Sequence, residues 1–544
     1  MQKKQKGQEL NNAISRIIAL ICLVFLIVLS ALSLIVFGTI DFNTYAEKHL
    51  LIFRLPVKTI LYVLALIMLL ILLKKVLFVG AITDTGKRRR RLIIEGVCSL
   101  ISFFISIWWI ENNPYLPKYD AKNAWNTAKL IVYGGDFSNV ENYYKMLPQQ
   151  RGVALFFSAF YRLFGDQALL AFKVTNAICL VLILLGVCKI AADISGKDDS
   201  VAYVAPLMVL FLPLNLYTVY IYGTLISFAA VIWAFVFAYR AIFNEKNQIL
   251  NLILTVLLLM LANIVNKGTL IATVAVIIVL FYNALLRLRE NKVYFMIVTG
   301  AIAVLILYSA TSQKIIDNAF QKSTGIDVGC GLPSVAWVEM GVTSVEDEDG
   351  GGALCGPGSY NFSIDRLYEA YGDDSRTVSS QCMSGIKTVF FEYFSGTREP
   401  SMIDFFSEKT EYQWCDPTFS SFTMTLFLFD EETEITDSLR QMLNGRYMQN
   451  LLKFLSYYMP LIYILAMLVV LYFIIRRKNH VALGLIELYF IGGFVFQFFW
   501  ESKSRYCLPY FVVLIPLCGI GLSLIEKRIL PKLGKILHIV HIHR

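Results

Sequence analysis

Apolar runs long enough to cross a bilayer recur along the chain at about 15–40, 59–80, 92–110, 168–190, 201–219, 223–243, 248–265, 269–286, 293–311, 451–475, 480–499 and 506–525. A hydrocarbon core about 30 Å thick takes about 20 residues of α-helix to cross. Within it the backbone must satisfy its own N–H and C=O groups, which a helix does segment by segment. The chain is therefore expected to be an all-α polytopic membrane protein with about twelve transmembrane helices. Composition agrees, since 57% of the 544 residues are hydrophobic and only 16% are charged, which excludes a water-soluble globule with a charged surface.

The formal net charge of +9 is not spread over a continuous basic face. It sits in short clusters between apolar runs, namely Lys87 to Arg91, Arg287 to Arg289, Arg476 to Lys478 and Lys527-Arg528, so nucleic acid is not an expected partner. Threading the runs from an inside N-terminus puts all these clusters on one side, the pattern of the positive-inside rule. Both termini are then cytoplasmic, and the expected location is the plasma membrane, with the bilayer itself as a partner. The first run follows MQKKQKGQELNNAISR and is too long for a signal-peptide core, so it is expected to stay as a helix. The five histidines, His49, His480, His538, His541 and His543, are too few and too scattered for a histidine-based catalytic or zinc site, and no metal is expected.

Two long polar segments, 111–167 and about 313–450, fall on the opposite, extracytoplasmic side. Function is sought there, because outward loops of this length exceed ordinary connections. The expected organisation is a two-helix extension at 1–91, a membrane core at 92–311 holding the first outward loop, a loop domain at 312–450 of α/β or irregular structure, C-terminal helices at 451–525 and a basic tail at 526–544. In the first segment, YKMLPQQRGVALFFSAFYRLFGD sets Arg151 and Arg162 among Val153, Leu155, Phe156, Phe160 and Leu163, which suits a helix lying along the membrane surface. In the second, Cys330, Cys355, Cys382 and Cys415 form an even set on the oxidising side, which predicts two disulfides of undecided pairing. The string Glu346-Asp347-Glu348-Asp349 reads as a solvated loop.

In PYLPKYDAKNAWNTA, residues 114–128, Asp120 stands just past the outer end of the third run. It suits a helix N-cap, and equally a general base taking a proton from a hydroxyl near the membrane surface. Glu111, Asp136, Glu141 and Asp166 are candidates for a second carboxylate. Cations gather at the same level: Lys173 opens one run, Lys267 interrupts LANIVNKGTLIATV, and WESKSRYCLPY, residues 500–510, brings Glu501, Lys503 and Arg505 into one outward turn. Each alone reads as a snorkelling interfacial charge, and together they suit an anionic lipid head group.

The order of these features resembles the GT-C class of integral membrane glycosyltransferases, in the branch of the protein O-mannosyltransferases and the lipid A aminoarabinose transferase. The resemblance rests on Asp120, the stretch Ala124 to Gly135, Pro148-Gln149-Gln150, Leu163-Phe164-Gly165, and the closing set Glu501, Lys503, Arg505-Tyr506 and Pro509. The long loop, with LPSVAWVEMG at 332–341, GSYN at 358–361 and FFSEKTEYQWCDPTFSS at 405–421, looks like that of a Gram-positive family in the same class. Two spans precede the usual arrangement.

The resemblance implies a glycosyltransferase that moves a sugar from a polyprenyl-phosphate donor to a cell-envelope acceptor, with inversion and without a nucleotide or obligatory metal cofactor. It gives Asp120 the role of base and assigns the donor phosphate to Lys267 and Arg505, with Lys173 and Lys503 in reserve. Substrate contacts are expected from Asp136, Glu141, Gln149, Gln150, Trp337, Tyr360, Trp414, Glu501 and Tyr506. A flippase for a lipid-linked sugar and an inactive envelope-assembly protein are the rival readings. Residues alone reach only an outward-facing membrane protein that handles anionic lipid.

Overall fold

The computed structural model describes residues 2–36, 56–77, 83–195, 200–244, 246–343, 356–360, 363–426, 436–443, 446–476 and 483–531. The helices up to the second polar segment are α1 Gln2–Ile35, α2 Pro56–Leu77, α3 Asp84–Asn112, α4 Tyr119–Tyr133, α5 Ser138–Met146, α6 Gln149–Phe164, α7 Ala168–Ser195, α8 Val201–Leu210, α9 Pro213–Leu216, α10 Thr224–Phe243, α11 Gln248–Val265, α12 Leu270–Arg287 and α13 Lys292–Thr324. Then follow α14 Val335–Val342, α15 Ser363–Tyr371, α16 Ser375–Ser395, α17 Met402–Trp414, α18 Ser421–Leu426, α19 Asp437–Leu443, α20 Arg446–Ile475, α21 Gly484–Phe499, α22 Leu508–Val512 and α23 Ile515–Leu524.

Among the described residues, 10 helical stretches are long and apolar enough to cross a membrane, so the chain is a multi-pass membrane protein. Two of the expected runs depart from a straight span. The run at 201–219 is bent by 55° between Val201–Leu210 and Pro213–Val219. Phe211 leaves helical geometry at the break, with φ −87° and ψ 72°, and Pro213 lacks an N–H for the helix ladder. The run at 480–499 yields the 16-residue α21, shorter than a full crossing.

The bundle is built around α10, which is buried along nearly its whole length because it is apolar on every side. It packs on α7 and α11, while α20 packs on α1 and α23, and α21 lies against α1 and α12. The first N-terminal helix is thus a part of the bundle. Helix α2 leaves Val57, Leu61, Leu69 and Val76 exposed, as a lipid-facing helix does.

The two long polar segments correct three expectations. The second segment is helical over α14 to α19, with no strand among the described residues, so the α/β alternative is not realised. Its apolar residues are spaced for helices, as in α16, where Val378, Cys382, Val389 and Tyr393 are the buried positions. The helix α6 does not merely lie on a surface. It packs against α4, α7, α11 and α13, and Arg151, expected at the interface, is fully buried. Its guanidinium bonds Asp317 Oδ1 on α13 at 2.7 Å, the Tyr144 carbonyl at 2.7 and 3.0 Å, and the Gly329 carbonyl at 3.2 Å. The two expected disulfides do not form: Cys330, Cys382 and Cys415 are all unpaired, and Cys355 lies outside the described residues. Two bridges among four cysteines would require one between two of these three. The acidic string 346–349 and the histidine tail also lie outside the described residues.

The two segments pack on each other. Leu147 of the first shares a small core with Leu332, Ala336, Trp337, Met340, Ile364, Val378 and Cys382 of the second. The Leu332 N–H donates to the Met146 carbonyl at 3.1 Å.

Candidate functional site

Asp120 lies in the first turn of α4, where the helix dipole favours a carboxylate. It is not the N-cap. Lys118 occupies that position, and no side chain caps the helix. Tyr119, between them, takes a left-handed φ of 47°, a conformation disfavoured for an aromatic residue. The half-buried Asp120 carboxylate instead accepts a hydrogen bond from Tyr143 Oη of α5 at 3.0 Å. Burial and the Asp120 charge together push the Tyr143 phenol well above its ordinary range, so it stays a donor. Asp120 is also close enough to add to the upward push that burial gives Tyr220, Tyr222 and Tyr360.

Those tyrosines lead to Arg505. Its guanidinium donates to Tyr220 Oη at 2.7 Å and to Tyr506 Oη at 3.2 Å. It also lies over the rings of Tyr220, Tyr222 and Tyr506, with centroid distances of 6.0, 5.7 and 5.0 Å. Tyr222 Oη accepts from Gln150 Nε2 at 2.5 Å, which ties the Pro148-Gln149-Gln150 step to the same group. Gln149 is half-buried beside it. One buried polar atom at this place, Gln150 Oε1, has no hydrogen-bond partner among the described residues. Tyr115 stands edge-on to Tyr220 at 6.4 Å and feels the Arg505 charge. A buried polar group left unpaired costs about 1–3 kcal/mol, so such atoms are characteristic of a surface built for a polar ligand.

The turn carrying Arg505 is held by the second long polar segment. Lys503 Nζ pairs with Glu501 Oε1 at 2.9 Å and lies 5.8 Å from the Tyr360 ring centroid. Glu501 in turn accepts from Tyr506 Oη at 3.3 Å. Burial opposes the Lys503 charge most strongly, but Glu501 and Tyr506 together outweigh it and the ammonium is held above its ordinary range. Trp337 stacks on Trp500, rings 6.0 Å apart and 6° from parallel. Lys409, buried on α17, donates to the Gly341 carbonyl at 2.5 Å and the Trp500 carbonyl at 2.7 Å. Burial pulls its pKa down to about 7. The Ser502 N–H donates to the Gly358 carbonyl at 2.7 Å. Buried Asp416 accepts from Ser504 Oγ at 2.6 Å and from the backbone N–H groups of Thr418 and Ser420 at 2.9 and 2.7 Å.

Glycine is required at two of these contacts. A Cβ on Gly341 would stand 2.3 Å from the Phe499 carbonyl oxygen, and one on Gly358 would stand 2.5 Å from that of Gly341. The three motif pieces of the long loop therefore converge on one turn. Sequence reasoning quoted the segments but passed over Lys409 and Asp416, and it missed Tyr143, Tyr220 and Tyr222 altogether. Lys409 and Asp416 both lie in FFSEKTEYQWCDPTFSS, where other polar residues surround them and spacing alone does not single them out.

Several predicted contacts stand elsewhere. Trp414 is buried in the bundle between Phe490, Phe494 and Tyr510, with no face left for a sugar, so its expected substrate contact is corrected to a packing role. Trp337 is likewise largely covered, and one of its faces is taken up by Trp500. Asp136 accepts from Ser138 Oγ and N–H at the start of α5, which lowers its pKa, and Glu141 pairs with Lys145 one turn on at 2.6 Å. Lys267 Nζ lies 3.4 Å from Ser312 Oγ and feels Asp317, and Lys173 Nζ lies 3.5 Å from the Asn113 carbonyl. Neither bonds Arg505 or its tyrosines. Tyr360 donates to Asp365.

No family model matches the chain, and no curated protein matches it. Among solved structures it is similar to the oligosaccharyltransferase of Archaeoglobus fulgidus in the apo form, with a TM-score of 0.41 and 12% identity over 82% of this chain and 52% of that one. The chain thus spans about half the length of that protein.

Proposed function

We propose that the chain is a membrane glycosyltransferase that moves a sugar from a polyprenyl-phosphate donor to a cell-envelope acceptor on the extracytoplasmic side. The observation that carries this reading is the pairing of one carboxylate with one caged guanidinium. Asp120 and Arg505 both lie near Tyr220 and Tyr222: Arg505 bonds Tyr220 Oη and lies over both rings, and the charges of both groups reach both phenols. In the proposed reaction Asp120 takes the proton of an acceptor hydroxyl while that oxygen attacks the anomeric carbon. The bond from that carbon to the phosphate oxygen breaks with inversion, and polyprenyl phosphate leaves with the electron pair. Its growing charge falls to Arg505, supported by Lys503.

Gln150 Oε1, buried and without a partner among the described residues, suits the hydroxyl-rich ligand that this reaction needs. Lys267 and Lys173, which bond neither Arg505 nor its tyrosines, take at most an outer place. The test is release of polyprenyl phosphate from a polyprenyl-phosphate sugar in proteoliposomes supplied with envelope acceptors. Release that disappears with Asp120→Asn supports transfer. Movement of an intact sugar lipid across the bilayer without release would replace it with the flippase reading.

A further inference from the structure

One face of α16 changes character along its length. Arg376, Ser380, Met383, Lys387, Phe391 and Phe394 follow each other at helical spacing, and all are exposed. The face is polar at its N-terminal end and aromatic at its C-terminal end, where Phe391 is 73% and Phe394 76% exposed. Water is a poor solvent for two neighbouring phenylalanines, and exposed apolar surface of this kind marks a binding face.

The surroundings identify what covers it. Tyr393, Phe405 and Phe406 form a small core with Val342 and Val389, packed against Phe498 at the end of α21. Phe406 stacks on Phe498 at 4.2 Å and meets Phe499 edge-on at 6.4 Å. On that membrane helix Val495 and Phe499 are exposed toward lipid. An apolar path therefore runs from the lipid-facing end of α21 through Phe406 and Tyr393 to Phe394. Ile403, 75% exposed and one turn before Phe406 on α17, widens the same patch. Arg398 lies over the Tyr393 ring at 5.3 Å and pairs with Glu392 at 2.6 Å, so this acid is neutralised. Glu399 and Asp404 are exposed at its edge, which limits how deeply Ile403 can go.

We propose that the C-terminal end of α16 is a lipid-anchoring surface. Phe391 and Phe394 insert at the headgroup–acyl boundary of the leaflet that α21 reaches, and Lys387, one turn earlier, meets the phosphates. The anchor sets the height of the second outward segment over the bilayer. That segment supplies Lys409 and Asp416 to the Trp500–Arg505 turn.

Spin labels on the full-length protein in phosphatidylcholine–phosphatidylglycerol nanodiscs test this directly. Single cysteines at Ser380, Phe391 and Phe394 are introduced on a Cys330→Ser, Cys355→Ser background, the other described cysteines being buried. Positions 380 and 394 share one helix face and stand about 21 Å apart along it. The expected result is a ratio of oxygen to nickel-chelate collision several-fold higher at 391 and 394 than at 380. Nickel collision as frequent at 394 as at 380 would overturn the proposal. So would exclusion of both reagents with dipolar broadening between labels, which would make the face an interface between copies of the chain. The labelled side chains are largely exposed, so little packing is lost by replacing them.

Discussion

At Asp120 a helix start and a phenol offer the same carboxylate two different partners, and the phenol has it. A bond from Tyr143 aims one oxygen and leaves the other for the acceptor hydroxyl of the proposed reaction. Asp120→Asn is expected to lower transfer about 10²- to 10⁴-fold, the usual contribution of a general base, with an unchanged thermal unfolding profile. Tyr143→Phe loses only the aiming bond. At about 0.5–1.5 kcal/mol for a hydrogen bond, the loss is a few-fold to about tenfold in rate. Equal effects of the two substitutions in the same assay would show that the phenol does more than aim. For Arg505, replacement by lysine keeps the charge but not the planar fork that bonds two phenols and lies over three rings. Charge-assisted bonds are worth about 1.5–3 kcal/mol each, so Arg505→Lys should lower transfer roughly ten- to a hundredfold.

Among the elements, α17 carries the most consequential single cation outside the turn. Lys409 closes a contact between residues 68 and 91 positions away in sequence, namely Gly341 and Trp500. Its pKa falls from an ordinary 10.5 to about 7 in the folded protein because burial disfavours the charge. Between those values the unfolded chain binds the additional proton, so stability rises with pH from about 7 toward 10.5 and is lost as pH falls toward 7. Thermal unfolding measured over that window should show this rise in the parent protein and a flatter profile in Lys409→Met. The substitution also leaves two carbonyls without their donor, so transfer falls with it. Gly341→Ala and Gly358→Ala act on the same contact by crowding, since each Cβ would press on backbone rather than on a movable side chain. Within α21, Glu487 is buried and neither carboxylate oxygen has a hydrogen-bond partner. A buried polar group in that state costs stability, so Glu487→Met is expected to raise the melting temperature in detergent.

At the scale of the whole molecule the two long polar segments pack on each other and are joined to the bundle by ionic as well as apolar contacts. Arg151 and Asp317 link α6 to α13, and breaking one member of such a pair costs about 3–5 kcal/mol. Asp317→Ala should lower thermal stability by an amount of that order, while the double change Arg151→Met, Asp317→Leu recovers most of it. What the sequence by itself determined here was local: run length and hydropathy fix which stretches can cross a bilayer, and clustered Lys and Arg lie between them. The acid at 120 and the turn at 500–506 were also legible as places, because charge beside an apolar run stands out. Their partners were not. Gly341, Gly358, Lys409 and Asp416 reach the turn from far along the chain, Tyr143 bonds Asp120 from another helix, Tyr222 comes near it from the bend before α10, and Trp414 turns inward. Spacing encodes which face of one helix a side chain shares, whereas these contacts depend on how separate helices pack. The tertiary structure alone decided them, as it decided that Cys330, Cys382 and Cys415 remain unpaired.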